Sequence, residues 1–284
     1  MMKINLLNFL KNSVVVPLFL NYRKVTPIQR GLFRLASFLD STLGPFQVST
    51  KDRILLSNFM LSSSMDLSYL DIENESHLKV LEVINSLNDG DIFIDVGANI
   101  GYFSLIASRR VGTVGRVFSF EPSPREYVRL LKNLELNHCS NVIPYNVALS
   151  DKLGESSFQV AKYHTGLNVL KSRNDLKSFE TFPGREIQVP TVPGDNLLDF
   201  SYFNSRSVKM AAKIDVEGAE FLVLKGFHHL LQLPSLKMIV VEITPSFLAR
   251  FNSTEVQIYD LMLQYGFKAI TQAVSWQFDQ IFVR

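Results

Sequence analysis

The sequence predicts an α/β fold: a doubly wound, mostly parallel sheet whose terminal strand is antiparallel, preceded by an N-terminal helical arm. Three observations predict it. From residue 74 onward, short apolar runs alternate with segments of helical periodicity, the pattern of a parallel sheet covered on both faces. A glycine-bearing turn, Asp95 to Gly101, joins the first apolar run to the helix that follows it. Near the end, residues 267–271 and 278–283 form two strand-like runs only a few residues apart, a gap that fits a hairpin and not a crossover.

The 284 residues are 46% apolar and 20% charged, the balance of an ordinary globular protein with a full core. The single cysteine, Cys139, excludes an intrachain disulfide and a cysteine-built zinc site, and it suits a reducing, cytoplasmic setting. The formal charge of +2 conceals an asymmetry. Six basic residues and no acidic one precede Asp40, leaving 23 basic against 27 acidic residues in the remainder. This basic stretch is also apolar, but Asn8, Lys11, Asn12 and Pro17 interrupt it, so it does not read as a membrane span, and Asn21-Tyr22-Arg23-Lys24 offers none of the small residues that a cleaved signal needs. Its second part is predicted to be a helix that starts at Thr26 and Pro27 and stops at Gly44-Pro45, with Ile28, Leu32, Leu35 and Leu39 at helical spacing. That apolar face is expected to pack on the main domain or on a second copy in a homodimer. The alternative is peripheral contact of residues 1–44 with the inner membrane face.

We divide the chain into a lead-in, residues 1–73, and a main domain, residues 74–284. A helix over 75–87 ends at the turn Asn88-Asp89-Gly90. Strands follow at 92–94 (running into Asp95), 116–120, 142–147, 209–216 and 238–243. Helices are predicted over 102–110 and from Pro122 and Pro124 to about 137. Residues 161–185, polar and without periodicity, read as a long acceptor-side loop, with Tyr163, His164 and Asn168 as candidate contacts. His77, His138, His228 and His229 are expected at surface or packing positions.

The chemistry-bearing residues sit where strands end. Gly97 permits a tight turn and close approach of the backbone to a ligand, and Gly101 lets the helix start pack on the strand. The spacing G-x-x-x-G with Asp95 two residues ahead differs from the G-x-G-x-x-G that seats a pyrophosphate, and it matches sites for S-adenosylmethionine, which has no phosphate to cradle. Glu121, at the end of the second strand, is positioned to accept hydrogen bonds from two ribose hydroxyls. Val147 and Ala148 follow the third strand as apolar walls for an adenine ring. Asp215 and Glu217 alternate with Val216 at the end of the fourth strand, which should turn both to one side. Glu242 ends the fifth.

These strings together resemble the FkbM-type methyltransferases. The resemblance rests on Phe93 to Gly101, Phe120-Glu121-Pro122, Ala148 to Asp151, Lys213 to Glu220 and Val241-Glu242-Ile243, and it spans residues 74 to 272. One departure lies at Thr191 to Leu198, where the family often reads T-L-D-D-L; Asp195 supplies the acidic residue there. The resemblance implies the class I methyltransferase form of the Rossmann-like sheet and methyl transfer from S-adenosylmethionine to a hydroxyl of a sugar, glycan or secondary metabolite. Asn99 joins Asp95, Gly97, Gly101, Glu121, Val147, Ala148 and Asp215 as the cofactor set. Glu217, then Asp215, then Glu242 are the candidate bases, and Asp215 is also a candidate partner for the cofactor's amino group. No metal is expected, since no histidine or further acidic pair supports one. A scaffold that keeps the fold without turnover would be expected to break the glycine loop, which here is intact. A nicotinamide enzyme is disfavoured by the glycine spacing. Nucleic acid as acceptor is disfavoured by the net negative main domain.

Overall fold

The structure, a computed structural model, describes residues 14–15, 18–19, 29–44, 46–61, 63–70, 75–161, 168–171, 184–200, 208–270 and 277–284. Most of the basic arm, together with Thr26, Pro27, Ile28, Tyr163 and His164, lies outside the described residues. Helix α1 (Gln29–Thr42) leads to a hairpin of β1 (Phe46–Ser49) and β2 (Leu55–Phe59), then to the short helix α2 (Ser64–Ser68) and to α3 (Glu75–Asn85). The next elements alternate: β3 (Ile92–Val96), α4 (Tyr102–Val111), β4 (Arg116–Phe120), α5 (Pro124–Leu136) and β5 (Val142–Tyr145). A second, four-stranded sheet follows, made of β6 (Ala148–Leu149), β7 (Gly154–Ala161), β8 (Val169–Leu170) and β9 (Gly184–Val192). The chain then returns through β10 (Met210–Ile214), α6 (Glu220–Lys225), α7 (His228–Gln232), β11 (Leu236–Ile243), α8 (Pro245–Leu248), α9 (Glu255–Gln264), β12 (Lys268–Ala269) and β13 (Phe278–Val283).

The seven-stranded sheet has the order β12-β13-β11-β10-β3-β4-β5. Pairs from β11 to β5 are parallel, and β13 runs antiparallel between β11 and the two-residue edge strand β12, as the short gap predicts. The central strands are buried along their whole length, which is why β3 and β10 carry almost only apolar residues. Local signals set the helix starts. Pro124 stands in the first turn of α5 with Glu126 beside it, and Thr254 and Gln257 close a reciprocal capping box on α9.

The structure differs from the sequence reading at the third strand and in the stretch that follows it. The third strand ends at Tyr145 instead of Val147, because Asn146 turns the chain by donating from Nδ2 to the carbonyls of Glu121 (2.8 Å) and Pro122 (3.1 Å). Ala148 and Leu149 then pair with Thr191 and Val192 in the second sheet. The stretch expected as one long loop begins and ends in strand, since β7 and β9 pair antiparallel from Gly154↔Thr191 to Ala161↔Gly184, with β8 alongside. The strand β7, Gly-Glu-Ser-Ser-Phe-Gln-Val-Ala, is too polar in its exposed half to signal itself.

The described part of the lead-in shares one core with the main domain. Phe46, Val48, Leu56, Phe59, Leu61 and Tyr69 are buried against Val80, Ile100, Tyr102 and Leu130, and α1 contributes Ala36 while Leu35 and Phe38 stay exposed. Directional bonds fix the docking. Asn133 on α5 accepts from the Ser57 amide (2.7 Å) and donates to the Ile100 carbonyl (2.8 Å), while Asn137 bonds both backbone groups of Leu55. Asp66 on α2 meets Arg129 on α5 at 2.6 Å, and it also accepts from the Met60 amide at 2.8 Å. Among the described residues, no helix is long and apolar enough to cross a membrane.

Asp66→Ala strands the Arg129 guanidinium in the interior, so it is expected to destabilise the fold by about 3–5 kcal/mol. Equilibrium denaturation measures this, and Asp66→Ala combined with Arg129→Leu should recover a large part of the loss.

Candidate active site

Beside β3 the strand order reverses, with β4 and β5 on one side and β10 onward on the other, so the carboxyl ends of these strands open a crevice. A cavity occupies it, walled by the loop after β3, the turn after β10, Glu121, and the apolar side chains Val147, Ala148, Leu149, Phe158 and Leu170. Gly97 has φ 77°, and a Cβ there would lie 1.8 Å from the Asp215 carbonyl oxygen, so only glycine lets the loop lie against the end of β10. Gly101 sits away from the cavity wall. Its role is packing, since a Cβ would meet Leu130 Cδ1 at 2.3 Å.

Asp95 is wholly buried beneath the loop and is not on the cavity wall. Its Oδ2 accepts from Ser104 Oγ at 2.5 Å, and Ser104 in turn meets Ser119 at 2.7 Å. Burial pushes the Asp95 carboxyl above its ordinary value, against the pull of Lys213 and Ser104. Lys213, which the sequence reading left without a role, is the hinge of the site. Its Nζ lies 3.6 Å from Asp95 Oδ1 and 3.2 Å from Asp215 Oδ2, and it donates to the Gly97 carbonyl at 2.9 Å. Burial works against its charge, but Asp215 and Asp95 outweigh that and hold the ammonium above its ordinary value.

Glu121 reaches the cavity from the end of β4. Its two carboxylate oxygens accept from the backbone amides of Asn99 (2.8 Å) and Ser123 (2.8 Å). Burial, reinforced by Glu126, pushes its carboxyl up to about 8, against those two amides. A carboxylate offers about four lone-pair positions, so two remain for hydroxyl donors.

Asp215 and Glu217 do not converge through strand alternation, because β10 stops at Ile214. They converge through a turn in which Glu217 (φ 56°) and Gly218 (φ 109°) both take the left-handed side of backbone space. Glu242, from the end of β11, joins them outside the cavity wall, and the three offer carboxylate oxygens within 4.8 Å of one another. Gln277 donates to Glu242 at 2.5 Å. Burial first, then the charges of Asp215 and Glu220, push the Glu217 carboxyl well above its ordinary value. Glu242 is raised in the same way by burial, Asp215 and Glu217.

Asp195 does not approach this site. Its carboxylate accepts from the backbone amides of His229 (2.6 Å) and Leu230 (3.1 Å), which closes the start of α7. Asn168 lies on the cavity wall, and its Oδ1 accepts from the Ala161 amide at 2.9 Å. Tyr69, from the lead-in, and Phe103 also line the cavity. Neither sits in a motif that would mark it in the sequence.

A model of the methyltransferase FkbM domain matches residues 95–269. The hexuronic acid methyltransferase AglP of Haloferax volcanii is 32% identical over 161 residues, 57% of this chain and 59% of that protein. Methyltransferase 1 of Beauveria bassiana is 28% identical over 148 residues, 49% of this chain and 59% of that one. The chain thus spans about three-fifths of the length of these relatives. A solved structure described as a putative rRNA-methylase from Clostridium thermocellum is 15% identical, with a TM-score of 0.45 over 75% of this chain and 99% of that one.

Between the ordinary carboxyl value of 4.5 and about 8, folded Glu121 keeps a proton that the unfolded chain releases. Its contribution to stability is therefore complete below pH 4.5 and is lost as the pH rises through about 8. Glu121→Gln removes that dependence. Denaturant midpoints of the ligand-free protein measured from pH 5 to about 8.5 are expected to fall less steeply in the variant than in the parent.

Proposed function

The chain belongs to the FkbM methyltransferase family, and from that premise we propose that it transfers a methyl group from S-adenosylmethionine to a hydroxyl of a saccharide. One observation carries the reading. A glycine loop that admits no Cβ, a buried carboxylate with two open acceptor positions, and Glu217, whose carboxyl is raised, line a single cavity together with Asp215.

The residues present fit the cofactor. Glu121 would hold the ribose hydroxyls, Val147, Ala148 and Leu149 would flank the adenine, and Asp215 would face the amino group of the methionine end. When bound, S-adenosylmethionine supplies an electrophilic methyl on a sulfonium. The chain's own work is positioning and proton removal. Holding the acceptor at the cavity mouth converts an encounter between two molecules into a step within one complex. A sugar hydroxyl is a weak nucleophile, and a positioned base contributes about 10²–10⁴-fold. Glu217 is the group placed for this. It lines the cavity, and its raised pKa brings it nearer the working pH, so the carboxylate form takes the hydroxyl proton as the oxygen is methylated. The name of the 32% identical relative, a hexuronic acid methyltransferase, supports a saccharide as the first acceptor class to test.

Calorimetric titration is expected to give saturable binding of S-adenosylmethionine and none of NAD. Glu217→Gln should lower methyl transfer to a hexuronic acid or glycan acceptor by about 10² or more, with cofactor affinity changed by only a few-fold. Unchanged turnover would remove Glu217 from the base role. Under this reading turnover also survives exhaustive chelation. Loss on chelation, restored by Mg²⁺, would make Asp215, Glu217 and Glu242 cation ligands instead.

A further inference from the structure

The matched domain begins at residue 95, yet one wall of the cavity comes from earlier in the chain. Tyr69 follows directly on α2, whose start is capped by Ser63 and whose Asp66 is locked to Arg129. The ring belongs to an aromatic cluster, stacked on His77 with centroids 5.7 Å apart and packed on Tyr102 at 4.8 Å. Only 3% of the residue is exposed. A buried tyrosine hydroxyl normally finds a partner. The neighbouring Tyr102 does so, donating to Asp52 at 2.9 Å. Among the described residues, the Tyr69 hydroxyl has none, although the side chain lines the cavity.

Its location within the cavity follows from its packing: Tyr102, on which it rests, meets Phe103 at 5.2 Å, and Lys213 Nζ lies 5.8 Å from the Phe103 ring centroid. Asp66, Asp215 and Asp95 are the carboxylates that act on it. Tyr69 therefore belongs to the end formed by Gly97, Phe103 and Asp215, on the β10 side of β3, while Glu121 stands on the β4 side. Burial and the nearby carboxylates hold the phenol protonated, so it is a hydrogen-bond donor at all working pH values. The methionine end of S-adenosylmethionine carries an ammonium and a carboxylate. The acidic cluster suits the ammonium. The carboxylate needs a donor, and the cation on the cavity wall, Lys213, is already committed to the Gly97 carbonyl, Asp215 and Asp95.

We propose that the Tyr69 hydroxyl donates a hydrogen bond to the carboxylate of the cofactor's methionine end, so that the lead-in completes the cofactor site. This rests on the S-adenosylmethionine reading above. The test is calorimetric titration of the full chain and of Tyr69→Phe with S-adenosylmethionine and with decarboxylated S-adenosylmethionine. Tyr69→Phe keeps the ring, so the ligand-free variant should unfold within about two degrees of the parent. The expected result is that Tyr69→Phe weakens S-adenosylmethionine about tenfold or more and leaves the decarboxylated ligand within about twofold. Unchanged affinity for S-adenosylmethionine, or an equal loss for both ligands, overturns the assignment and leaves the cofactor reading standing. Failure of the parent protein to bind either ligand overturns both.

Discussion

Lys213 and Asp95 come from strands far apart in the sequence, and parallel pairing of β10 with β3 sets them side by side. The same register sets Asp95 beside Ser119 on β4. Three adjacent strands therefore carry a polar row, next to the apolar row of Phe93, Val117 and Ala211 on the same face. Burying such a row is costly unless every charge finds a partner. Here Asp95 holds Lys213, and Lys213 reaches past the strand ends to the Gly97 carbonyl and to Asp215. The ammonium thus joins the glycine loop to the turn after β10, the two backbone segments that approach each other where Gly97 excludes a Cβ. Without it, Asp95 and Asp215 would face each other across that contact with no cation between them.

The row leaves the cavity with an excess of negative charge, and that excess sets its chemistry. Lys213 is shared between Asp95 and Asp215, so Glu217, Glu220 and Glu242 must be accommodated by other means. Glu220 is served by the backbone: its Oε1 accepts from the amides of Val216 and Gly218, both at 3.0 Å. Even so, burial pushes its carboxyl up to about 7. Arg250 donates to the Glu217 carbonyl at 3.3 Å and to the Leu170 carbonyl at 2.9 Å, and its charge lowers the Glu217 carboxyl only in part. The cheapest way to relieve the remaining repulsion is to bind protons. A group made to hold a proton near neutral pH can also exchange one with a substrate hydroxyl.

What could be read in the sequence was what local chemistry determines. The run Ile92 to Val96, the glycine loop and the final antiparallel strand each announced themselves within a few residues. The candidate positions Gly97, Asn99, Glu121, Val147, Ala148, Asp215 and Glu217 line one cavity because strand ends in a parallel sheet must gather at one edge. What escaped was set by contacts between distant segments. Lys213 was visible only as one letter of a motif, since its partners are chosen by the register of two strands. Asp195 could be read only as the acidic residue of a departing string, because nothing local reveals that α7 starts against it. The acidic turn was misread for a different reason. Its convergence depends on a left-handed glutamate, a conformation that sequence preference argues against.

The lead-in extends the same logic to a part of the chain that apolar patterning alone would treat as packing. Its apolar side chains bury well, but apolar contact between a hairpin and a helix tolerates sliding. Hydrogen bonds do not. Asn133 and Asn137 grip the backbone of β2 at Ser57 and Leu55, and Asp66 grips Arg129 one helical turn away on α5. These are costly groups to bury, and each is satisfied only at one register. Their effect is to set α2, and so the residue that follows it, at a single position relative to β3 and β10. That position puts Tyr69 on the cavity wall, at a place that apolar packing alone would have left free to slide.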